Sequence, residues 1–164
     1  FPAYQVDYED GLYRRSIYTF WKRNMPPPNM LIFDASSRGE CQVRRQRSST
    51  PLQALVLMND PQMIEGCRVL AERMWAHTDG DIESASQQIF RLLTSREPST
   101  KEQAILLRQY EDELTYFEND PDKATDYLST GAFEHDEDMS MVAVAALARV
   151  TNTIMNSTEA YYKN

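Results

Sequence analysis

Apolar residues recur at helical spacing through most of the chain after residue 50. The clearest stripe lies on one face of a single helix and consists of Met63, Ile64, Cys67, Leu70, Ala71, Met74 and Trp75. This spacing of i, i+1, i+4, i+7, i+8, i+11 and i+12 predicts an amphipathic helix docked on a core. Further stripes follow at 82–93 and 105–117, and 142–150 is apolar nearly all round. We expect that last helix at the centre of the bundle.

Several short patterns mark where helices begin. At Thr50-Pro51-Leu52-Gln53 the threonine is placed to cap, proline takes the first helical position, and glutamine can return a bond to the cap. Ser99 and Glu102 are spaced as a second capping box. At Asp60-Pro61 and Asp120-Pro121 an acidic cap precedes a proline. Each pattern predicts a helix that starts at that point.

The first third of the chain is less regular. A helical apolar face from Leu12 onwards consists of Tyr13, Ile17, Phe20 and Trp21. The helix must end by Met25, because Pro26-Pro27-Pro28 cannot continue it. From there to Ser49 no period is sustained, so we expect an ordered but irregular segment.

Together these elements predict an all-α protein, a compact bundle of about seven helices with an irregular arginine-rich segment near the N-terminus. A length of 164 residues fits one domain. We therefore predict a single helical domain over 1–164, with a surface arm at 1–11, a basic helix and irregular segment at 12–49, and a helical body at 50–164. The opening Phe1-Pro2-Ala3 has no initiator methionine or apolar signal region, so we expect a piece of a longer protein.

Charge is distributed unevenly along the chain. With 17 basic and 25 acidic residues the net charge is −8, which argues against general binding of nucleic acid or of anionic membrane. Between Leu12 and Arg47, however, there are eight basic and two acidic residues, so this segment has a net charge of +6. The remainder of the chain therefore has a net charge of −14. The basic segment can dock on the acidic part of its own chain or on an anionic partner. No apolar stretch approaches the roughly 20 residues that span a bilayer.

Catalytic and metal-binding signatures are not found in the sequence. The only cysteines, Cys41 and Cys67, are 26 positions apart, and the only histidines are His77 and His135. This pattern argues against a zinc site or a haem attachment, so no metal and no cofactor is expected in this chain. Since Cys67 lies on the apolar stripe, we predict a buried, unreactive thiol with a raised pKa. Two free thiols are expected, and a disulfide formed on export is the alternative.

Two groups of residues are candidate binding sites. The first is the arginine cluster Arg38, Arg44, Arg45 and Arg47, whose guanidinium groups can hold a carboxylate, sulfate or phosphate at two points. Pairing with Asp34, Glu40, Asp60 and the acidic helices is the structural alternative. The second is the aromatic group Tyr13, Tyr18, Phe20 and Trp21, which can form an interface with another domain or stack on a sugar ring.

The stretch from Arg14 to Ala71 resembles the family called domain of unknown function fifteen-fifty-three. The shared patterns are Arg14-Arg15-Ser16-Ile17-Tyr18-Thr19-Phe20, Lys22-Arg23, Phe33-Asp34, Arg38, Cys41, Arg44-Arg45-x-Arg47, Thr50-Pro51-Leu52-Gln53-Ala54-Leu55, and Leu57 with Asn59-Asp60-Pro61. Ser48-Ser49 stands where members of that family usually show Thr-Asn, and we expect this change to weaken a local hydrogen-bond network.

The resemblance implies a context rather than a reaction. It implies the C-terminal domain of a large exported protein of planctomycetes and related bacteria, located in the periplasm or at the cell surface. The N-terminal parts of such proteins often include a cytochrome c-like domain, and their genomic setting is similar to that of glycan-degrading systems. Our leading hypothesis is a non-catalytic helical interaction or structural module whose partners are the upstream domains of the same polypeptide. The alternative is an anion-binding surface, for an acidic or sulfated glycan, that contributes to a glycan-processing enzyme.

Overall fold

The computed structural model describes residues 11, 13–22, 26–36, 39, 41, 43–44, 48–135 and 139–161. These residues form helices and no strand, which confirms the all-α prediction. In chain order the helices are α1 Pro28–Ile32, α2 Pro51–Asn59, α3 Pro61–His77, α4 Ile82–Thr94, α5 Thr100–Asn119, α6 Pro121–Leu128, α7 Met141–Met155 and α8 Thr158–Tyr161. Within these described stretches, none of the helices is both long enough and apolar enough to cross a membrane.

The chain divides into two compact units, Phe1–Val56 and Leu57–Asn164. The second unit is built around α7, as its sequence predicts. Every residue of α7 from Ala143 to Ala148 is buried. Helices α3, α4, α5 and α6 all pack against α7. The single domain expected over 1–164 stays a prediction.

Most helix starts follow the predicted capping chemistry. The side chain of Asp60 accepts a hydrogen bond from the Gln62 amide at 2.9 Å and caps α3. Ser99 and Glu102 form the predicted capping box of α5. The sixth helix starts at Pro121 as expected, but there the Asp120 carboxylate pairs with Lys123 at 3.0 Å instead of capping.

The helix predicted from Leu12 to Met25 is wrong over the described residues 13–22. That stretch contains only a 3₁₀ turn at Ser16–Tyr18, followed by Thr19 in an extended conformation. A short helix is stable only when its apolar face is packed, and the side chains of Ile17 and Phe20 are instead largely exposed. Branched and aromatic residues also have a lower helix propensity than straight-chain ones.

The irregular segment contains one helix that the sequence did not predict. Pro28 ends the proline run and occupies the first turn of α1, a position where proline is favoured because no amide donor is needed there. The proline run therefore follows the apolar spacing of residues 13–21 and also provides the first residue of α1. Residues 1–10 of the predicted surface arm lie outside the described residues.

Candidate functional site

The first unit contains a polar network where α1 ends. The amide of Ala35 donates to the carbonyl of Met30 at 2.9 Å, and the amide of Asp34 donates to that of Leu31 at 3.2 Å. This is the Schellman pattern, whose left-handed position usually holds glycine. Asp34 occupies that position with φ of 57°. Residues other than glycine, asparagine and aspartate seldom adopt this left-handed conformation.

The carboxylate of Asp34 is bound by Ser48, fourteen residues further along the chain. Both the amide and the hydroxyl of Ser48 donate to Oδ2 of Asp34, each at 2.7 Å. These two hydrogen bonds hold the pKa of Asp34 below its ordinary value, and they outweigh the opposing effect of partial burial. The hydroxyl in this network is one that threonine would also supply, so at position 48 the departure from the family pattern keeps the network and does not weaken it.

Gln53 completes this network from the first turn of α2. Its Nε2 donates to the hydroxyl oxygen of Ser48 at 3.0 Å and to the carbonyl of Ile32 at 2.8 Å. Its Oε1 accepts from the Thr50 amide at 3.0 Å, and the Thr50 hydroxyl accepts from the Gln53 amide at 3.3 Å. The predicted capping box is therefore confirmed, and the same glutamine also ties α2 to the end of α1. We call Asp34, Ser48 and Gln53 the loop base.

The residues between Asp34 and Ser48 carry the predicted arginine site. This 13-residue segment, 35–47, is here called the arginine loop. Of its four predicted residues, Arg44 is exposed at a bend, whereas Arg38, Arg45 and Arg47 lie outside the described residues. The arginine cluster thus stays a prediction, but the two ends of the segment that carries it are joined by hydrogen bonds.

Two of the acidic partners proposed for these arginines are used by other groups. The carboxylate of Asp34 accepts from Ser48, and that of Asp60 accepts from the Gln62 amide. Glu40 lies outside the described residues. Whether these carboxylates also pair with the arginines depends on residues outside the described ranges, so the internal-pairing alternative stays a prediction.

The aromatic candidates lie at the surface of the same unit. Tyr13, Tyr18 and Phe20 are exposed and Trp21 is half-buried. Arg14 and Arg15 beside them in sequence are exposed too. Aromatic and guanidinium side chains together are typical of protein interfaces and of sugar-stacking sites.

The second unit contains a charged cluster that the sequence analysis missed. Glu65, Arg68 and Glu72 of α3 are buried, and Arg68 Nη1 pairs with Glu72 Oε1 at 2.7 Å. Arg68 Nη2 also donates to the carbonyl of Phe133, while Glu65 Oε1 accepts from the amides of Ala132 and Phe133. These side chains hold the segment between α6 and α7 against α3. In the sequence, their spacing of i, i+3 and i+7 could have shown that the three side chains lie on one face of α3.

A pocket of about 310 Å³ lies beside this cluster. It is lined by Val69, Glu72, Arg73, Ala76, Phe133, Glu134, His135 and Met139. Its Glu72 carboxylate is already paired with Arg68, so its charge has a structural use. Over the stretches that the structure describes, no group of three or more histidine, cysteine or acidic residues is arranged to hold a metal ion.

The two cysteines differ in burial. Cys67 is fully buried, Cys41 is exposed, and both are free thiols. Burial raises the pKa of Cys67 to about 11, although a hydrogen bond from Asn152 acts in the opposite direction. The prediction of a buried thiol with a raised pKa is confirmed.

Comparison with known proteins gives one result. A family model described as PSD1, Protein of unknown function (DUF1553), matches residues 2–110. No curated protein and no solved structure gives a significant match to the chain. The matched residues include the arginine loop, the loop base and the charged face of α3.

Proposed function

The chain belongs to the family described as Protein of unknown function (DUF1553), and from that premise we propose that it is a non-catalytic helical interaction module of a larger exported multidomain protein. Its partners are the other domains of the same polypeptide, and its contact surface is the aromatic and basic stretch 13–22. The exported, periplasmic or cell-surface setting rests on the family resemblance alone.

The exposure of apolar side chains in this stretch carries the proposal. Ile17, Tyr18 and Phe20 are 74%, 68% and 73% exposed and lie within the four residues 17–20. Isolated exposed apolar residues need no explanation, but a short stretch that exposes three large ones is typical of a surface that a partner covers. The flanking Arg14 and Arg15 are typical of the same kind of surface.

Charge indicates what kind of surface the partner offers. Residues 12–47 carry a net charge of +6, so an acidic surface with an apolar centre would be attracted and correctly oriented. Because the aromatic side chains would be buried in that contact, they would supply most of its free energy, and the arginines would supply orientation.

Calorimetry with the other domains of the same polypeptide tests this proposal. We expect association at tens of micromolar, and we expect a Tyr18→Ser/Phe20→Ser double variant to lose it. Ile105→Ser, which changes a similarly exposed apolar residue on α5, is the matched control and should bind normally. Absence of association with the unaltered chain, or equal binding by the double variant, would refute the proposed surface.

A second candidate function is an anion-binding surface, for an acidic or sulfated glycan, that contributes to a glycan-processing enzyme. The observation that favours it is the closed base of the arginine loop, which holds together the two ends of a segment containing four arginines. In this role the arginines bind the charged groups and Tyr18 or Trp21 stacks on a sugar ring.

A glycan array with the full-length protein tests the second candidate. We expect binding to sulfated or carboxylated glycans that is lost in an Arg44→Ala/Arg45→Ala variant. Arg108→Ala on α5 removes an exposed arginine from the second unit and serves as the control. Unchanged binding by the double variant would remove these arginines from the site.

A further inference from the structure

We propose that the pocket beside the charged cluster of α3 binds an organic ammonium group, carried on a free alkylamine or on a lysine side chain. This inference goes beyond the proposed function, because neither candidate function places its contacts in the second unit. Every residue that lines the pocket is one that the structure describes. With a volume of about 310 Å³, the pocket is at the lower end of the range found for small-molecule sites.

An unused oxygen of a buried carboxylate is the first observation. Glu72 lines the pocket and is only 8% exposed. Its Oε1 accepts from Arg68 Nη1 at 2.7 Å, whereas its Oε2 accepts no hydrogen bond from any residue that the structure describes. A mostly buried carboxylate oxygen without a donor costs free energy, and a ligand that brings a donor to this oxygen recovers the loss.

The charge balance around the pocket favours a positively charged donor. Glu65, Arg68 and Glu72 are buried on α3 and together carry a net charge of −1. The exposed Arg73 and Glu134, which also line the pocket, cancel one another in charge. A monocation bound at Glu72 would therefore balance the buried charge, whereas an anion would be repelled by the carboxylate.

The apolar lining residues suit the carbon part of such a ligand. Val69, Ala76, Phe133 and Met139 supply this lining, and Phe133 is 57% exposed. An aromatic face attracts an ammonium ion, and apolar side chains can cover its alkyl chain. Across the described ranges, no three acidic, histidine or cysteine side chains are placed to hold a metal ion. The lining therefore fits an organic cation better than a metal ion.

Hydrogen bonds hold the wall of the pocket in place before a ligand arrives. Arg68 Nη2 donates to the carbonyl of Phe133, and Glu65 Oε1 accepts from the amides of Ala132 and Phe133. These bonds fix the backbone that carries the Phe133 ring against α3. Since this segment is already ordered, little further ordering accompanies binding.

Three probes of equal chain length separate charge from apolar contact: hexylamine, hexanol and hexanoate. They are titrated into the full chain at neutral pH, where the amine is protonated, and the NMR signals of the Val69 and Met139 methyl groups report binding at the pocket itself. We expect hexylamine to bind with a dissociation constant of about 1 mM. Hexanol and hexanoate should bind at least about ten-fold more weakly, because neither brings a positive charge to Glu72.

Glu72→Gln tests the carboxylate directly. It keeps the shape of the side chain and removes its charge, so hexylamine should bind about ten-fold more weakly, while hexanol binding should not change. Glu111→Gln, at an exposed position on α5, is the matched control and should bind both probes normally. Thermal melting shows whether each variant is folded.

Phe133→Leu gives a second test that leaves the buried ion pair intact. Leucine keeps an apolar side chain at this exposed position but removes the aromatic face, so hexylamine should bind about three-fold more weakly and hexanol as before. If Glu72→Gln does not fold, this variant decides: unchanged hexylamine affinity in Phe133→Leu would then overturn the proposal.

Three further results would overturn an ammonium site: failure of hexylamine to bind, binding of hexanol or hexanoate as tight as that of hexylamine, or unchanged hexylamine affinity in a folded Glu72→Gln variant. A short peptide with one lysine, compared with the same peptide acetylated at that lysine, identifies the source of the ammonium group. Binding of the unacetylated peptide as tight as that of hexylamine supports a lysine side chain. Binding of hexylamine alone supports a free amine.

Discussion

The two units of this chain use polar and apolar side chains in opposite ways. In the first unit Ile17, Tyr18 and Phe20 are exposed, and order at the loop base comes from hydrogen bonds between polar side chains. In the second unit an apolar core surrounds α7, and even the charged Glu65 and Arg68 are buried. The first unit therefore exposes apolar side chains as binding surfaces do, whereas the second unit buries its apolar side chains in a core.

This difference predicts where substitutions will have large effects. In the second unit a lost charge or an added methyl group acts inside a densely packed interior, so the free energy of unfolding should fall by several kcal/mol. In the first unit, changes should alter binding and loop opening while leaving unfolding of the body almost unchanged.

Arg68→Met should give the largest effect. Arg68 is fully buried, so the change leaves the buried Glu72 carboxylate without its cation and destabilises the fold by about 3–5 kcal/mol. Urea unfolding measures this value. Arg73→Met, on the exposed side of the same helix, should have little effect. Equal values for the two variants would contradict a buried ionic cluster.

Gly131→Ala should rank next. At φ of 105°, a Cβ atom would lie 2.6 Å from Cδ of Glu65, so both backbone strain and the close approach destabilise the variant, by about 2 kcal/mol. The control is Gly66→Ala in α3, where the Cβ would meet open space and higher helix propensity should stabilise by about 0.5–1 kcal/mol. Opposite shifts in melting temperature would confirm this pair, and a neutral Gly131→Ala would refute it.

Cys67→Ala should cost about 1–2 kcal/mol through lost packing. Because burial raises the thiol pKa from 9.0 to about 11, the thiol's contribution to stability is complete below pH 9 and is lost as the pH rises through about 11. The variant should lack this loss. Alkylation without reductant should label only Cys41 in the native protein and both residues after denaturation. Denatured protein without label at either position would show a disulfide instead.

Strong acid should open the loop base by protonating Asp34. Since hydrogen bonds lower the pKa of Asp34, its contribution is present above the ordinary value of 3.8 and is lost as the pH falls through the lower folded value. The amide proton of Ser48, followed by NMR, should therefore shift only below about pH 3.8. In Asp34→Asn this shift should be absent, and a shift centred near neutral pH would contradict the assignment.

Tyr18→Ser and Phe20→Ser should have the smallest effect on stability, within about 0.5 kcal/mol, because exposed side chains lose few contacts on substitution. Urea unfolding of both variants measures this. A loss of 2 kcal/mol or more would mean that these residues belong to a core and would remove the contrast between the two units.

The sequence predicted those features whose chemistry is local. Thr50 with Gln53 and Ser99 with Glu102 cap helices within four residues of chain, and their spacing is enough to recognise them. The central position of α7 was also predictable, since a helix that is apolar all round has no face suited to water.

The features that the sequence could not predict depend on distant partners. The apolar spacing at Tyr13, Ile17 and Phe20 suggests a helix, but a helix needs a surface to pack on. In the sequence, Glu65 and Arg68 look like residues of a solvated polar face. In the structure they bind the backbone amide and carbonyl of Phe133, which lies 68 and 65 positions further along the chain. Asp34 and Ser48 were both part of recognised patterns, yet nothing in either pattern shows that they bind one another.

The position of α7 in the chain has a consequence for biosynthesis. Helices α3 to α6 leave the ribosome before the helix on which they pack, so their apolar faces have no complete core until residues 141–155 have been made. Helices α3 to α6 also contact one another in sequence, so part of the body can pack early, but its central contacts form only after α7 has been made. The family match ends at residue 110. A polypeptide cut at that boundary would carry the shared sequence patterns and yet expose the apolar faces of α3 and α4 to water, where aggregation competes with folding.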